Sequence, residues 1–385
     1  MSGIYLHIPF CKQSCSYCDF YFVTRTGEQP DFVESMVREI HSYADTDFVN
    51  EKVETLYIGG GTPSLLSTEQ LEQLMEAVRD TFDTDIRETT IEMNPDDVTK
   101  EYLDALRDMG INRVSMGVQS FNPELLKFMN RAHDRQEALK CLELLSKSGF
   151  QTFTVDLIYG NPGQSLEELE DDVRELLQFD PPHVSAYSLT IESGTRLGKQ
   201  VELGRLTPPE DDKVSDHFML LNELLSNAGV YRYEVSNYSK PGHEAIHNSN
   251  YWKHHNYIGM GPGAHSFWWE QDALAERWNN KADLRNYIKF KQTANRDNIT
   301  EEKDNLSRLE LSEERIMMGL RTREGITLKE MEERYGYLFG ERQIEYLRKR
   351  ASEGKVNLTK DGRIVLTDIG IVIADAIILD LITLH

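Results

Sequence analysis

Three of the four cysteines in this 385-residue chain, Cys11, Cys15 and Cys18, fall inside one short stretch, CKQSCSYCDF at residues 11–20. An odd set of three cannot pair off as disulfides. A structural zinc site usually takes four protein ligands; here only His7, inside a strand-like run, is near enough in sequence to complete one. Three thiolates on three irons of a cubic cluster leave the fourth iron open to a ligand. Structural core cysteines have no reason to recur at i+4 and i+3 among Lys12, Gln13, Ser14 and Ser16. The pattern therefore reads as a [4Fe-4S] site, with zinc as the alternative. The fourth cysteine, Cys141, lies in LKCLELLSKSG on an apolar helix face and reads as core.

The elements that must hold these thiols alternate through the first 190 residues. Strand-like runs at 3–8, 53–58, 89–93, 113–118, 153–159 and 184–189 are separated by helical periods at 30–44, 68–82, 99–109, 122–129, 134–148 and 166–178. Short apolar runs between 3.6-period helices are the βα pattern of a parallel sheet with covered faces. Six such units predict an α/β fold, a partial (β/α)6 barrel of TIM type. Glycines and prolines over 191–210 break the rhythm; a helix over 211–228 and a strand at 231–239 follow. From Lys240 to Phe267 the text is rich in Gly, His and aromatics, with little periodicity. The end of the chain, with two helical periods and a hairpin turning at Lys360-Asp361-Gly362, outlines a small winged-helix-like α+β domain read as a packing or lid unit. The predicted domains are a barrel at 1–235, a His- and aromatic-rich connecting region at 236–305, and the winged-helix-like domain at 306–385.

With 39% apolar and 28% charged residues the chain has the profile of a folded globular protein. No apolar run is long enough to span a bilayer, and MSGIYLHIPF does not read as a signal peptide. Few cysteines then suggest a reducing cytoplasm. Lys and Arg number 42 against 65 Asp and Glu, a net charge of -23 that repels phosphate backbones and argues against nucleic acid.

Ligand sites collect at the carboxyl ends of such strands, and these ends carry polar text. GGGTPS, with Gly60, Gly61 and Thr62, allows close backbone approach. Glu92, Gln119 and Asp156 sit at or near strand ends, and Arg131 offers a bidentate fork for a carboxylate.

CxxxCxxC with Tyr17 before its last cysteine resembles the radical S-adenosylmethionine (SAM) enzymes, in which the open iron chelates SAM. The runs IYLHIPFCKQSCSYCDF, YIGGGTPS, IEMNP, GVQSF, RAHDR, DLIYGNPGQ and YSLTIESGT resemble the family of oxygen-independent coproporphyrinogen III oxidase and its relatives. That resemblance implies a radical SAM barrel, cluster ligation by Cys11, Cys15 and Cys18, and SAM contacts from Tyr5, Tyr17, Gly60, Gly61 and Thr62, with Glu92, Gln119, Arg131 and Asp156 on positions that contact SAM or, in the oxidase, a second SAM. One departure matters. The oxidases carry a further cysteine two places after the last ligand, where this chain has Phe20; the segment that precedes the motif in the oxidase is also not seen here.

YEVSNYSKPGHEAIHNSNYW and GMGPGAHSF are similar to the branch of the family that binds heme and hands it to acceptor proteins. That branch implies heme as a third bound group, with SAM cleavage left open. The expected partners are heme and heme-accepting proteins met peripherally at the membrane; a homodimer is allowed. Imidazole is a common heme-iron ligand, and residues 240–269 hold His243, His247, His254, His255 and His265 among aromatics. His247, in the HNxxYW run, is the first choice and His243 the second. Decarboxylation of coproporphyrinogen III or a related tetrapyrrole is the alternative function.

Overall fold

The computed structural model describes residues 2–269, 274–290 and 295–384. Strand β1 (Ser2–Ile8) sets the rule for the sheet: Ile4, Leu6 and Ile8 are fully buried on one face, while Gly3, Tyr5 and His7 alternate onto the other. Successive side chains of a strand point to opposite faces. The same alternation runs through β2 (Val53–Gly60), β3 (Thr84–Met93), β4 (Arg113–Gln119), β5 (Thr152–Tyr159) and β6 (His183–Ser188). Their apolar faces share one core with helices Gln29–His41, Thr68–Thr81, Lys100–Asp108, Arg135–Ser146 and Leu166–Leu177. The other faces line a polar lumen, where Thr90, Arg113, Ser115, Thr154, Asp156 and Ser185 surround a cavity of about 40 Å³. Helix starts follow the sequence, with Ser67–Gln70, Asp134–Glu137 and Ser165–Glu168 closing capping boxes.

β1 to β6 pair in parallel, in chain order, giving the expected partial barrel. The sheet continues beyond it on both sides. The run 231–239, expected as one strand, is two: β7 (Tyr231–Arg232) and β8 (Asn237–Ser239), paired antiparallel, with β8 antiparallel to β6. Between them the chain turns, Ser236 donating its backbone N–H to the Glu234 carboxylate at 3.2 Å. The segment of little periodicity also carries structure. Helix Ile246–Trp252 is followed by β9 (Asn256–Met260), a seventh parallel strand beside β1, and β10 (His265–Trp269), antiparallel to it. β11 (Ala275–Asn280) and β12 (Thr300–Leu306) complete a 12-stranded sheet. Residues 236–305 are thus largely sheet and helix joined to the barrel; 270–273 and 291–294 lie outside the described residues.

The C-terminal part has winged-helix order: helix Arg308–Leu320, β13 (Ile326–Thr327), helices Leu328–Tyr335 and Glu341–Ser352, then the hairpin β14 (Val356–Leu358) and β15 (Arg363–Leu366). It is tied to the rest by buried polar contacts. Arg315, held by Glu330 within this part at 2.7 Å, donates across to the Trp252 carbonyl at 2.9 Å; Arg232 bonds Asp368 at 2.7 Å.

Candidate functional site

The cysteines lie in the loop that leaves β1, and that loop is clamped to three later strand ends. At its base Cys11 N–H donates to the Val23 carbonyl at 2.9 Å and Val23 N–H to Pro9 at 2.7 Å. At its tip Ser16 donates to Met129 (backbone, 2.9 Å) and Phe128 (side chain, 3.0 Å), while Asn130 Nδ2 donates to Ser14 at 2.7 Å. Lys12 pairs with Asp96 and Asp97 beyond β3. Cys11, Cys15 and Cys18 are partly buried free thiols, and burial pushes Cys11 up to about 12 and Cys18 to about 11.

Arg131 organises the floor. Its Nη1 donates to Cys15 Sγ at 3.2 Å and Tyr17 Oη at 3.3 Å; its Nη2 donates to Asn94 Oδ1 at 2.6 Å and the Gly117 carbonyl at 2.8 Å. Asn94 also donates to Thr62 Oγ1 at 3.0 Å, and Thr62 in turn faces Cys11 Sγ at 3.7 Å. Gly61 presses against the loop so closely that a Cβ there would lie 2.9 Å from Cys11 Sγ.

Next to the thiols is an acidic cradle. Glu92 accepts from Tyr57 Oη at 2.7 Å and from Gly60 N–H at 2.9 Å, and burial raises its pKa. Gly60 holds φ at +113°, and a Cβ on it would meet the His7 ring at 2.7 Å. Tyr5 packs on Tyr57 with ring centroids 5.9 Å apart. Gln119 adopts φ 70° at the end of β4, and its Oε1 is buried without a partner. A left-handed non-glycine residue with a buried, unpaired acceptor at this strand end leaves a polar group open to a ligand. These residues fit a cluster on the three thiols with a polar ligand beside it.

The zinc alternative fits less well. His7 has both ring nitrogens engaged, Nδ1 with Tyr5 Oη at 3.1 Å and Nε2 with the Tyr21 carbonyl at 2.9 Å. Among the described residues no three His, Cys, Asp or Glu side chains converge as ligands of a single ion.

Asp156 lies deeper, facing the small polar lumen, with Ser115 Oγ at 3.2 Å. Burial, with the nearby Glu92 charge, pushes its pKa up to about 7, against the Ser115 hydrogen bond. The folded state therefore holds this proton more tightly than the unfolded chain. The resulting stability is complete below the ordinary carboxylate pKa of ~3.9 and is lost as pH rises through about 7, at most ~4 kcal/mol in all. In ligand-free protein, Asp156→Asn is expected to gain stability over wild type progressively between pH ~4 and ~8. Denaturant unfolding across that range checks this; a difference independent of pH contradicts it.

The two histidines singled out from sequence lie in different surroundings. His247 is 1% exposed, and both its ring nitrogens are taken, by Thr55 Oγ1 and Tyr251 Oη, each at 2.8 Å. Burial lowers its pKa to about 3. Its ring packs beneath Gly3, where a Cβ would meet it at 3.1 Å, and borders the large cavity beside the cysteine loop with neither nitrogen free. His243 bonds Thr152 Oγ1 at 3.2 Å and lines a different cleft, of about 540 Å³, at the amino ends of β4 and β5. The cavity that reaches the cysteine loop is larger, about 890 Å³, walled by Tyr5, Phe20, Tyr57, Tyr187, Tyr251 and Tyr257 among others. Asn94 and Tyr57, which tie the site together, were not singled out from sequence. The signals were present: Asn94 stands in IEMNP just after β3, and Tyr57 follows the period of two from Thr55 to Gly59.

A radical SAM superfamily model matches residues 5–176, and a HemN C-terminal domain model matches 306–373. Fold and site together define a radical SAM protein. The solved structure of coproporphyrinogen III oxidase (HemN) from Escherichia coli superposes with a TM-score of 0.82 at 23% identity, covering 100% of this chain and 90% of that one, which supports the fold alone. Heme chaperone HemW of Lactococcus lactis is 38% identical over 355 residues, 91% of this chain and 90% of its own. Heme chaperone HemW of Escherichia coli is 41% identical over 267 residues, 68% of this chain and 69% of its own. The chain belongs to the HemW family.

Proposed function

We propose that this protein binds heme in the 890 Å³ cavity, beside a SAM-bound [4Fe-4S] cluster, and passes the heme to acceptor proteins. The observation that carries the reading is the lining of that cavity. It is aromatic, it includes the exposed Phe20 of the cysteine loop, and among its described residues it has Asp19, Glu92, Glu234 and Glu301 but no Lys or Arg. Heme is a flat, largely apolar ring with two propionates; burying its faces contributes roughly 25 cal/mol per Å². Coproporphyrinogen III carries four carboxylates and no compensating metal. An acidic wall without a cation repels it, and like charges brought together cost several kcal/mol. Oxidative decarboxylation is therefore disfavoured, in line with Phe20 at the oxidase's cysteine position.

Cys11, Cys15 and Cys18 would hold the cluster. Gly60, Gly61, Thr62, Glu92 and Gln119 would receive SAM, with Tyr5, Tyr17 and Arg131 packing and orienting the loop and Asp156 beneath. When bound, the cluster supplies one-electron reducing power and an open iron for the amino and carboxylate groups of SAM. The chain's own part is positional. Arg131 offsets thiolate charge at Cys15, and the Glu92 carboxylate, fixed by Tyr57 and Gly60, faces where an ammonium group would lie.

The partners that fit are heme and heme-accepting proteins, met from the cytoplasm at the membrane surface. No helix among the described residues is long and apolar enough to cross a membrane. A homodimer is compatible with this reading, and the net charge of -23 disfavours nucleic acid.

Anaerobic reconstitution followed by two assays on one sample tests the function. Heme titration is expected to reach saturation at micromolar concentration. Incubation with coproporphyrinogen III, SAM and a reductant is expected to give no protoporphyrinogen. Cysteine-dependent protoporphyrinogen formation would reverse the assignment.

A further inference from the structure

The iron of a heme in the large cavity needs a side chain with a free lone pair, and four of the five histidines between 240 and 269 either have both ring nitrogens engaged or line a different cleft. His247 is bonded at both nitrogens. His254 is buried, with Nδ1 on Tyr335 Oη at 3.2 Å and Nε2 at 3.3 Å from the Glu314 carboxylate. His243 and His255 line the other cleft, bonded to Thr152 and Asn250. His247 lines the 890 Å³ cavity too, but with both nitrogens bonded; His265 lines it with a ring that is not. It is exposed, its ring makes no hydrogen bond among the described residues, and it lines the 890 Å³ cavity.

The local sequence puts it there. β9 ends at Met260, and the tight turn to β10 uses Gly261 at φ 102° and Gly263 at φ 79°. A Cβ on Gly263 would meet Tyr21 Cβ at 3.2 Å, so this turn rests on the cysteine loop. A Cβ on Gly259 would lie 2.1 Å from the His265 carbonyl, which fixes the two strands in close register. His265 then opens β10 opposite Asn279 of β11, itself a cavity residue. His7 lines the same cavity, but its ring nitrogens are taken by Tyr5 and Tyr21.

We propose that His265 is the protein ligand to heme iron, an inference that rests on the heme-binding reading above. The ring then lies along the wall formed by Phe20 and Tyr187, 72% and 43% exposed respectively. With no cation on the described walls, the propionates face the open mouth of the cavity.

The test compares wild type with His265→Gly, both with the cluster reconstituted and quantified. Bound heme per chain is measured separately from ligation. Resonance Raman spectra of the ferrous state, with ordinary and isotope-labelled histidine, read the iron–histidine stretch. The expected result is an isotope-sensitive stretch in wild type that vanishes in His265→Gly, with heme affinity falling less than about tenfold because the apolar faces carry most of the binding. Free imidazole should restore a histidine-like stretch in the variant, which a merely structural role for His265 would not allow. An isotope-sensitive stretch that persists in His265→Gly overturns this proposal and leaves the heme reading standing. Failure of the wild-type chain to take up heme at all overturns both.

Discussion

Cys15→Ala is expected to leave a chain that folds but carries no cluster after anaerobic reconstitution. The site has three thiols and no reserve: Cys141 is 1% exposed inside the core of helix Arg135–Ser146 and cannot reach the loop. Losing the thiolate removes one iron's protein ligand, and a cube held by two thiolates is not retained. Fold loss is a separate matter. Arg131 still has Tyr17, Asn94 and Gly117 to bond, and the loop keeps its clamps at Ser16, Asn130 and Cys11. Iron and acid-labile sulfide per chain, with the visible charge-transfer absorption, measure the outcome. A variant with full iron and sulfide content and a wild-type spectrum contradicts the ligand assignment.

Gly61→Ala should weaken the same site without touching a ligand. The added Cβ would stand 2.7 Å from the Phe10 carbonyl and 2.9 Å from both Pro9 C and Cys11 Sγ. Two of these are backbone atoms, and backbone cannot swing aside as a long side chain can. Gly61 is itself held by Ile8, accepting its N–H at 2.8 Å, so the strain falls on the Cys11 end of the loop. Overpacking of this kind costs about 1–3 kcal/mol, which corresponds to roughly 5- to 150-fold weaker cluster retention. Chelator challenge of reconstituted protein gives the number. Gly27→Ala is the comparison, since nothing lies within 4 Å of a Cβ there. Equal retention in the two variants would show that Gly61 does not set the Cys11 position.

Much of this was legible in the chain because the decisive patterns are local. GIYLHI carries a period of two that separates Ile4, Leu6 and Ile8 from Tyr5 and His7, and the strand places them on opposite faces as that period demands. The cysteines are close in sequence, so their joint loop needed no knowledge of the fold. YRYEVSNYS misled because it alternates throughout; the turn inside it is set by Glu234 and by Ala186, whose N–H bonds the Ser236 carbonyl at 2.8 Å from the neighbouring strand. His247 shows a related limit of local pattern. HNxxYW does place His247 and Tyr251 together, as i and i+4 on a helix. What neutralises the imidazole is Thr55, 192 residues away, and no local pattern announces that contact. The reverse holds for His265, whose exposure follows from a β9–β10 turn that sequence periodicity did not show.

The central claim is that heme occupies the cavity beside the cysteine loop, and blocking that cavity tests it most directly. Ala282 lines the cavity and is exposed, so Ala282→Trp fills space there without entering the core. Heme is titrated into wild type and Ala282→Trp, each with its cluster content matched. The account predicts saturable binding to wild type and at least about tenfold weaker binding to the variant, a loss of ~1.4 kcal/mol or more. Equal heme affinity in the two proteins, or no heme binding by the wild-type chain, would contradict it.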